Sequence, residues 1–533
     1  MSKKKRQRPT MEVNPQELAE IVEKTKGSLA AEEFAKLKAA TSTLLFLQAE
    51  LQQKGTSVER LKRMLFGAPT EKTAKVLNKK KSGNDAAAKP PPPGHGRNPA
   101  TAYVGAERKK VAHASMQGGE DCEECQKGKV YPVQEPAVLV RVTGMAPLSA
   151  TVWEFERLRC NLCGEVYTAE APEDVGSEKY DESATAMTAL LKYGCGLPFH
   201  RIEKLQEGLG IPLPASTQWE LVEAAADKLE PAYEELVNQA AQADVLHNDD
   251  TTMKVLELTR ERLEAASAGA PAERTGVYTS GVIATKEQRA IALFFTGRQH
   301  AGENLADVLK RRAVELSAPL QMSDALSANT SGDFKSIVAN CLAHARRGFV
   351  DVANDFPAES RFVLETLSAV YRTDAEAKAQ SLLPTERLAL HQRESGPRMA
   401  KLDEWLDAQF REKKVEPNSG LGAAIKYMRK HWPKLTRFLE EPGAPLDNNI
   451  CERALKKAIL HRKKSLFYRT ENGARVGDVF MSLIHSAELS EGNPFDYLVA
   501  LLRNRERLSE EPGAWMPWNY RDALAKLAPA VSP

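Results

Sequence analysis

Four cysteines in two closely spaced pairs could bind a metal. Cys122 and Cys125 form one Cys-x-x-Cys pair, and Cys160 and Cys163 form the other. Two such pairs can place four thiolates tetrahedrally around Zn²⁺, and four cysteine ligands leave no open position for catalysis. We therefore predict a zinc-ribbon-like domain over residues 101–172 with one structural Zn²⁺; the alternative is reduced thiols without a metal. The strands predicted in this domain are Val138–Val142, Val152–Leu158 and Val166–Thr168.

Acidic residues next to two predicted strands form a second group. Asp249 and Asp250 follow a strand predicted to end at His247, and Asp324 follows a strand predicted at Leu320–Ser323. Carboxylates at one edge of a sheet are suited to gathering hard divalent cations, and two such ions can promote phosphodiester cleavage. The same residues could also be solvated loop carboxylates, and spacing alone does not select a third ligand.

Basic residues are concentrated in three stretches, although the net charge is only +2. Met1–Pro9 holds five basic residues and no acidic one, Lys79–Lys81 is a second run, and Arg453–Arg469 holds seven Lys or Arg residues and no acidic one. Such runs are commonly solvated. They indicate phosphate binding only where they border a site that handles nucleic acid.

Residues 14–70 predict a coiled coil, and a linker follows it. Apolar residues recur there at intervals of seven, which is typical of a helix that pairs with another; they are Leu37, Leu44, Leu51, Val58 and Leu65. This segment is expected to mediate self-association as a dimer, the alternative being an amphipathic hairpin that packs on its own chain. Residues 71–100 are rich in Lys, Ala and Pro and predict an extended linker.

Residues 178–240 predict helices interrupted at Gly194–Pro198 and at Gly208–Pro214. The helix, turn and helix that begin at Phe199 suggest a helix-turn-helix DNA-binding domain, with Ser216 or Thr217 capping the second helix. A plain helical hairpin would show the same pattern.

The rest of the chain predicts a multidomain α/β protein. In residues 243–354 several strands, a helix at Leu305–Val314 and a further strand suggest a mixed sheet. Residues 355–440 predict helices without strands, a helix begins at Asn448 in residues 441–485, and residues 486–533 are helical. The first strands predicted are Val245–His247, Met253–Leu258, Val277–Ala284 and Ala290–Thr296.

Membrane and disulfide classes are disfavoured. No stretch approaches the roughly 20 apolar residues that cross a bilayer, and no secretory signal is seen, so a cytoplasmic protein is expected. Seven cysteines, an odd number in a chain of this size, do not suggest a disulfide framework. Cys195, Cys341 and Cys451 are expected to be buried structural thiols.

The stretches Leu446–Ala454 and His461–Phe467 resemble the signature of transposases of the insertion-sequence-sixty-six family, a branch of the Asp-Asp-Glu transposases with an RNase H-like core. Further motifs of that family occur in its order along nearly the whole chain. They are Leu61–Gly67 with Glu71 and Lys72, Gly94–Arg97, Lys192 and Tyr193, Leu197–Arg201, His247–Leu256, Ala343–Arg346, Leu421–Tyr427, Asn493–Tyr497, and Pro517 with Trp518.

The resemblance implies a catalytic trio of Asp249, Asp324 and Glu452, holding two Mg²⁺ (or Mn²⁺) ions that activate a water and then a 3′ hydroxyl. It also implies an RNase H-like core in two parts, 243–354 and 441–485, separated by a helical insertion at 355–440. This sequence departs from the family at three positions: Asp250 replaces the usual Glu, Thr252 a Pro, and Lys464 an Asn. Asp250 is therefore a rival of Asp249 as a ligand.

The implied partner is double-stranded DNA, both the terminal inverted repeats of a transposon and its target, with small companion proteins of the same element and association with the nucleoid. His344 and Arg346 are carried as substrate contacts, a packed histidine being the alternative. An alternative function is a catalytically inactive, transposase-derived DNA-binding protein. The residues around Glu452 that could contact phosphates, or could simply be solvated, are Arg453, Lys456, Lys457, Arg462 and Lys463.

Overall fold

A computed structural model describes residues 178–527 except 268–273, 288, 331 and 333, together with 146–159, 166–170 and the isolated positions 22–25, 34, 37, 38, 101, 120, 129, 131, 172 and 176. The chain divides into two units, Met1–Ser82 and Gly83–Pro533. In the first unit Lys38 pairs with Glu23 at 2.6 Å. Most of the predicted coiled coil, the linker and the cysteines Cys122, Cys125, Cys160 and Cys163 lie outside the described residues.

In the second unit, strands β1 (Arg157–Arg159) and β2 (Val166–Thr168) form a short antiparallel hairpin. The strand predicted at Val166–Thr168 is confirmed. The strand predicted at Val152–Leu158 is wrong over residues 152–156, which have no regular structure. Val152 and Trp153 are exposed there, so alternating apolar residues do not build a strand without a surface to cover.

The helical segment before the sheet breaks where the sequence predicts. Asp181 caps the first helix by accepting a hydrogen bond from Ala184 N at 2.8 Å. The predicted cap at Ser216 or Thr217 is wrong, because the last of these helices already begins directly after Pro214, without a side-chain cap. The elements are α1 (Glu182–Ala189), a π-helical turn (Leu190–Gly194), α2 (Phe199–Gly208) and α3 (Ala215–Ala241).

A five-stranded mixed sheet forms the centre of this unit, in the order β5-β4-β3-β6-β7. The first three strands pair antiparallel, whereas β3, β6 and β7 run parallel. The strands predicted at Val277–Ala284, Ala290–Thr296 and Leu320–Ser323 are confirmed, and β7 was not predicted. The strands are β3 (Val245–Thr252), β4 (Tyr278–Lys286), β5 (Arg289–Gly297), β6 (Leu320–Ser323) and β7 (Ile337–Asn340).

Two predictions near β3 are corrected. Because β3 continues to Thr252, Asp249 and Asp250 lie within the strand rather than after it. The strand predicted at Met253–Leu258 is wrong, since helix α4 (Leu256–Ser267) begins there. The run of Leu, Glu, Arg and Ala residues in α4 has high helix propensity, which outweighs a few apolar residues in alternation.

Helices α5 (Ala301–Leu309) and α12 (Asn449–Ser465) cover opposite faces of β3 and β4. Successive side chains of a strand point to opposite faces. A Cβ at Gly281 would lie 3.0 Å from Leu455 of α12, whereas Ser280 accepts a hydrogen bond from Asn304 of α5 at 2.8 Å. The helix predicted at Leu305–Val314 corresponds to α5, which both begins and ends earlier than predicted.

Helix α13 (Glu471–Leu489) covers the outer edge of strand β5. Three of its residues, spaced four apart, accept hydrogen bonds from alternate backbone N–H groups of that strand. An edge strand would otherwise expose these groups, so α13 closes this side of the sheet. The pairs are Asp478 with Thr296 at 2.6 Å, Ser482 with Phe294 at 3.0 Å, and Ser486 with Ala292 at 3.0 Å.

Residues between β7 and α12 form helices and no strand, as predicted for 355–440. Within the described residues, no helix is both long and apolar enough to cross a bilayer. The helices before α12 are α6 (Leu342–Asp351), α7 (Pro357–Ala379), α8 (Pro384–Glu394), α9 (Gly396–Arg411), α10 (Gly420–Lys430) and α11 (Trp432–Leu435), and those after α13 are α14 (Pro494–Arg503), α15 (Arg505–Glu510) and α16 (Tyr520–Leu527).

Candidate active site

Asp249 on β3 lies beside Asp324, which directly follows the neighbouring parallel strand β6. The register pairs His247 of β3 with Met322 of β6, so two further residues bring Asp249 level with Asp324. The side-chain amide of Asn329 donates to Oδ1 of Asp324 at 2.6 Å and to Oδ1 of Asp249 at 3.3 Å. One buried amide therefore binds both carboxylates.

Asn329 is itself fixed by two buried amides that extend from the strands. Its backbone carbonyl accepts from Asn248 Nδ2 and from Gln321 Nε2, both at 2.7 Å. Gln321 Nε2 also donates to Asn248 Oδ1 at 3.0 Å. This network was not predicted from the sequence. The available signal was two polar residues inside apolar strands, because buried amides need partners.

Glu452 lies in the first turn of α12, and Asn448 fixes the start of that helix against β3. Asn448 Oδ1 accepts from His247 Nδ1 at 3.1 Å, and Asn448 Nδ2 donates to the Asn248 carbonyl at 3.0 Å. Burial lowers the pKa of His247 to about 4, so its ring is neutral near pH 7. The backbone N–H of Glu452 donates to the Asn448 carbonyl at 3.1 Å, which sets the glutamate one turn from this anchor.

The carboxylates of the predicted trio interact electrostatically with one another. Burial, together with the neighbouring charges of Asp324 and Glu452, raises the pKa of Asp249 to about 7. Repulsion between carboxylates in a partly buried site is the situation that a bound cation relieves. The donor set, oxygen atoms from three carboxylates, matches the preference of Mg²⁺ or Mn²⁺. The amide nitrogen of Asn329 lies between two of these carboxylates, where a positive group is favoured.

Asp250 points to the other face of the sheet. Its two oxygens accept from Ser280 Oγ at 2.7 Å and pair with His300 Nδ1 at 2.8 Å. Its side chain is 13% exposed. Both of its oxygens are thus engaged on the α5 side, away from Asn329, Asp324 and Glu452.

Helix α6 brings a second set of groups to Glu452. His344 Nδ1 lies 3.6 Å from Glu452 Oε1, and ligand atoms of Cys341, His344 and Glu452 all lie within 4.8 Å of one another. Cys341 and Cys451 are buried, as predicted, whereas Cys195 is exposed, so the prediction of a buried thiol is wrong at Cys195. Burial raises the pKa of Cys341 to about 11. Arg346, predicted together with His344 as a substrate contact, is largely buried.

The basic residues of α12 fall into two groups. Arg453, Lys456 and Lys463 are exposed. Lys457 pairs with Glu488 of α13 at 2.9 Å. Arg462 donates to Thr251 Oγ1 at 3.1 Å and to the carbonyl and hydroxyl of Thr252, so it joins the end of α12 to the end of β3.

The helical segment between β7 and α12 also reaches the site. Burial and the nearby Asp324 carboxylate raise the pKa of Tyr427 on α10. The proximity of Tyr427 to the second aspartate could not be predicted from sequence, because the two residues belong to separate predicted domains.

A buried lysine joins the π-helical turn to the C-terminal end of α12. Lys192 Nζ lies 3.2 Å from His461 Nε2 and donates to Ser465 Oγ at 3.0 Å. Burial lowers the pKa of Lys192 to about 8 and that of His461 to about 3, and the His461 ring stacks on Tyr468 with centroids 4.3 Å apart. These contacts connect the motif at Lys192 and Tyr193 with the motif at His461–Phe467, and they hold α12 in place.

Comparison with known families matches residues 178–476 to the sequence model of a family described as "Transposase IS66 family". Three proteins of Sinorhizobium fredii (strain NBRC 101917 / NGR234), each named only as uncharacterized, are similar to this chain. The protein y4jD is 28% identical over 390 residues, 68% of this chain and 71% of its own length. The protein y4qI is 26% identical over 64% of this chain and 63% of its own length, and y4hP is 25% identical over 69% and 68%.

Proposed function

This chain belongs to the IS66 family of transposases, and from that membership we propose that it cleaves phosphodiester bonds at transposon ends and joins the freed 3′ hydroxyl to target DNA. The catalytic residues are Asp249, Asp324 and Glu452. The observation that carries the proposal is the shared amide of Asn329, which binds both Asp249 on β3 and Asp324 directly after β6. Glu452 is among the charges that raise the pKa of Asp249.

The architecture around these residues supports an RNase H-like core. Three antiparallel strands are followed by two strands parallel to the first, in the order β5-β4-β3-β6-β7. The first aspartate lies on the central strand, the second directly after its parallel neighbour, and the glutamate on a helix that packs on the sheet. The helices between β7 and α12 then form an insertion within this core.

Asp249, Asp324 and Glu452 fit a pair of hard divalent cations, Mg²⁺ or Mn²⁺. Such ions, when bound, supply the positive charge that activates a water or hydroxyl and stabilises the leaving oxygen. The protein's part is to hold the carboxylates. Asn329 fixes the two aspartates relative to each other, and Asn448 sets the position of Glu452 along α12. Asp250 supports β3 through Ser280 and His300 instead of acting as a ligand.

DNA binding is assigned to the exposed basic residues of α12 and to the preceding modules. Arg453 and Lys456 lie on the same helix as Glu452 and are exposed, so they are placed to contact phosphates near the reacting bond. Helices α2 and α3 form the proposed helix-turn-helix. A zinc ribbon around the two cysteine pairs, dimerisation through residues 14–70 and small companion proteins complete the proposal.

A strand-joining assay tests the proposal. The full-length protein is incubated with Mg²⁺, DNA that carries the terminal repeats of its element and a target plasmid, and joined products are counted. Wild type should join ends, whereas Glu452→Gln and Asp324→Asn should not. Glu261→Gln, which removes a carboxylate that pairs with Arg298 on the surface, should retain activity. Full joining by either active-site variant would refute the assignment.

A further inference from the structure

We propose that Cys341, His344 and Glu452 form a second metal site, selective for a borderline-soft divalent ion such as Zn²⁺, that shares Glu452 with the trio. Its ligands are one thiolate, one imidazole nitrogen and one carboxylate oxygen. These are the ligand types that proteins use for zinc. The shared glutamate makes the site competitive with the Mg²⁺ arrangement of the carboxylates.

The geometry is that of ligands around an ion rather than of a hydrogen-bonded pair. His344 Nδ1 and Glu452 Oε1 are 3.6 Å apart, too far for a hydrogen bond. Two ligands of a tetrahedral zinc ion lie about 3.4 Å apart when the metal–ligand bonds are about 2.1 Å long. Ligand atoms of all three residues lie within 4.8 Å of one another.

Two of the ligand atoms lack any other partner. His344 Nδ1 and Glu452 Oε1 are both buried without a hydrogen bond. Buried polar atoms are almost always satisfied in folded proteins, so a pair of unsatisfied atoms that face each other points to a missing ligand between them. The rest of the His344 and Glu452 side chains is partly exposed, 26% and 29% respectively, so the site lies near the protein surface.

The three ligand residues lie at the N-terminal ends of two helices, which oppose the effect of burial on the Cys341 thiol. Cys341 is the N-cap of α6 and His344 lies in its first turn, while Glu452 lies in the first turn of α12. The positive end of a helix stabilises a thiolate or carboxylate placed there. When the metal–sulfur bond forms, the thiol proton leaves to solvent, so the overall change is exchange of a proton for a divalent ion.

The two sites differ in the ions they select. Asp249 and Asp324 offer oxygen only, which suits Mg²⁺, whereas the sulfur and nitrogen of Cys341 and His344 suit Zn²⁺. Zinc at the second site would hold Glu452 away from the aspartates and inhibit DNA joining. This inhibitory consequence, unlike the metal site itself, rests on the proposed function.

Cobalt binding by the full-length protein tests the site directly. Co²⁺ replaces zinc and gives absorption bands that report thiolate and tetrahedral coordination. Wild type should bind one more equivalent of Co²⁺ than Cys341→Ser or His344→Ala, and Cys341→Ser should lose thiolate charge-transfer intensity. Cys195→Ser, at an exposed cysteine, should match wild type. The cysteine pairs at residues 122–163 contribute equally to all four proteins.

Equal Co²⁺ stoichiometry in wild type, Cys341→Ser and His344→Ala would overturn the proposal. His344 is partly exposed, so His344→Ala provides a test even if Cys341→Ser fails to fold. In a second arm, Zn²⁺ is added to the Mg²⁺-dependent joining reaction, and each protein is compared with its own activity without zinc. Zinc should inhibit wild type at least tenfold more than His344→Ala. If Co²⁺ binding is lost in the variants but zinc does not inhibit wild type, the metal site stands and the catalytic role of Glu452 is contradicted.

Discussion

The side-chain amide of Asn329 donates to Oδ1 of Asp324 across 2.6 Å. The same nitrogen also reaches Asp249 at 3.3 Å, so this asparagine, which follows β6 by six residues, sets the spacing of two carboxylates that come from different strands. A site that must hold cations between carboxylates depends on such supporting contacts as well as on the ligands themselves.

Replacement of Asn329 by Ala should lower DNA joining by roughly 10- to 100-fold, the usual effect of losing a residue that orients metal ligands. The fall should be smaller at high Mg²⁺ concentration, because weaker cation binding is part of the defect. Asn304→Ala is the matched control, since Asn304 is a buried amide that contacts Ser280 on the opposite face. Equal losses in both variants would indicate a general packing defect.

Substitutions of Asp249 and of Asp250 should differ sharply in their effect on DNA joining, although the two residues are adjacent. Asp249→Asn should reduce joining by more than about a hundredfold, since a ligand for transition-state charge is lost. Asp250→Asn should cost less than about tenfold, because its oxygens bind Ser280 and His300. Initial rates in Mg²⁺ measure both effects. The reverse ranking would make Asp250 the ligand.

Helix α12 should contribute to the salt dependence of DNA binding. Each phosphate contact adds about one unit to the slope of log K against log salt concentration. Arg453→Ala and Lys456→Ala should each reduce that slope by about one. Lys457→Ala should leave it nearly unchanged, because Lys457 pairs with Glu488 at 2.9 Å. Unaltered slopes in the first two variants would remove α12 from the DNA interface.

Asp478 should make stability depend on pH. Burial raises its pKa to about 7, above the value of about 4 in an unfolded chain. Its stabilising contribution is therefore complete below about pH 4 and is lost as pH rises toward 7, by at most a few kcal/mol. The thermal midpoint of Asp478→Asn should change less over this range than that of wild type.

Ser482→Ala is the control for that measurement. It removes a neighbouring hydrogen bond from α13 to β5 without removing a titratable group. Its thermal midpoint should be lower at every pH but should follow the pH dependence of wild type. If Asp478→Asn also retained that dependence, a different group would be responsible.

The sequence predicted much of the sheet because local alternation and turn residues specify strands. Asp249 and Asp324 could be selected from their positions near strand ends. Glu452 could not, because its position depends on contacts such as that between Asn448 and Asn248, 200 residues apart in the chain; only the resemblance to a family identified it. The role of Asn329 could not be predicted for the same reason, since it depends on a loop that folds back over two strands.

The wrong predictions at Met253–Leu258 and at Ser216 both relied on short sequence patterns. At Met253–Leu258 a few apolar residues suggested a strand, but the longer run of helix-forming residues in α4 determined the structure. At Ser216 the expected cap was displaced because Pro214 already starts the helix. A short pattern does not determine the structure where a longer stretch of consistent helix propensity or the geometry of a proline favours a different one.

A metal-specificity switch at Asp249 tests the central claim most directly. Asp249→Cys replaces a hard oxygen ligand with sulfur, which binds Mn²⁺ far better than Mg²⁺. The account predicts that Asp249→Cys cleaves transposon ends in Mn²⁺ but not in Mg²⁺, while Asp249→Ala is inactive in both. Cleavage by Asp249→Ala in Mg²⁺ at the wild-type rate would contradict the claim that this carboxylate binds the catalytic cation.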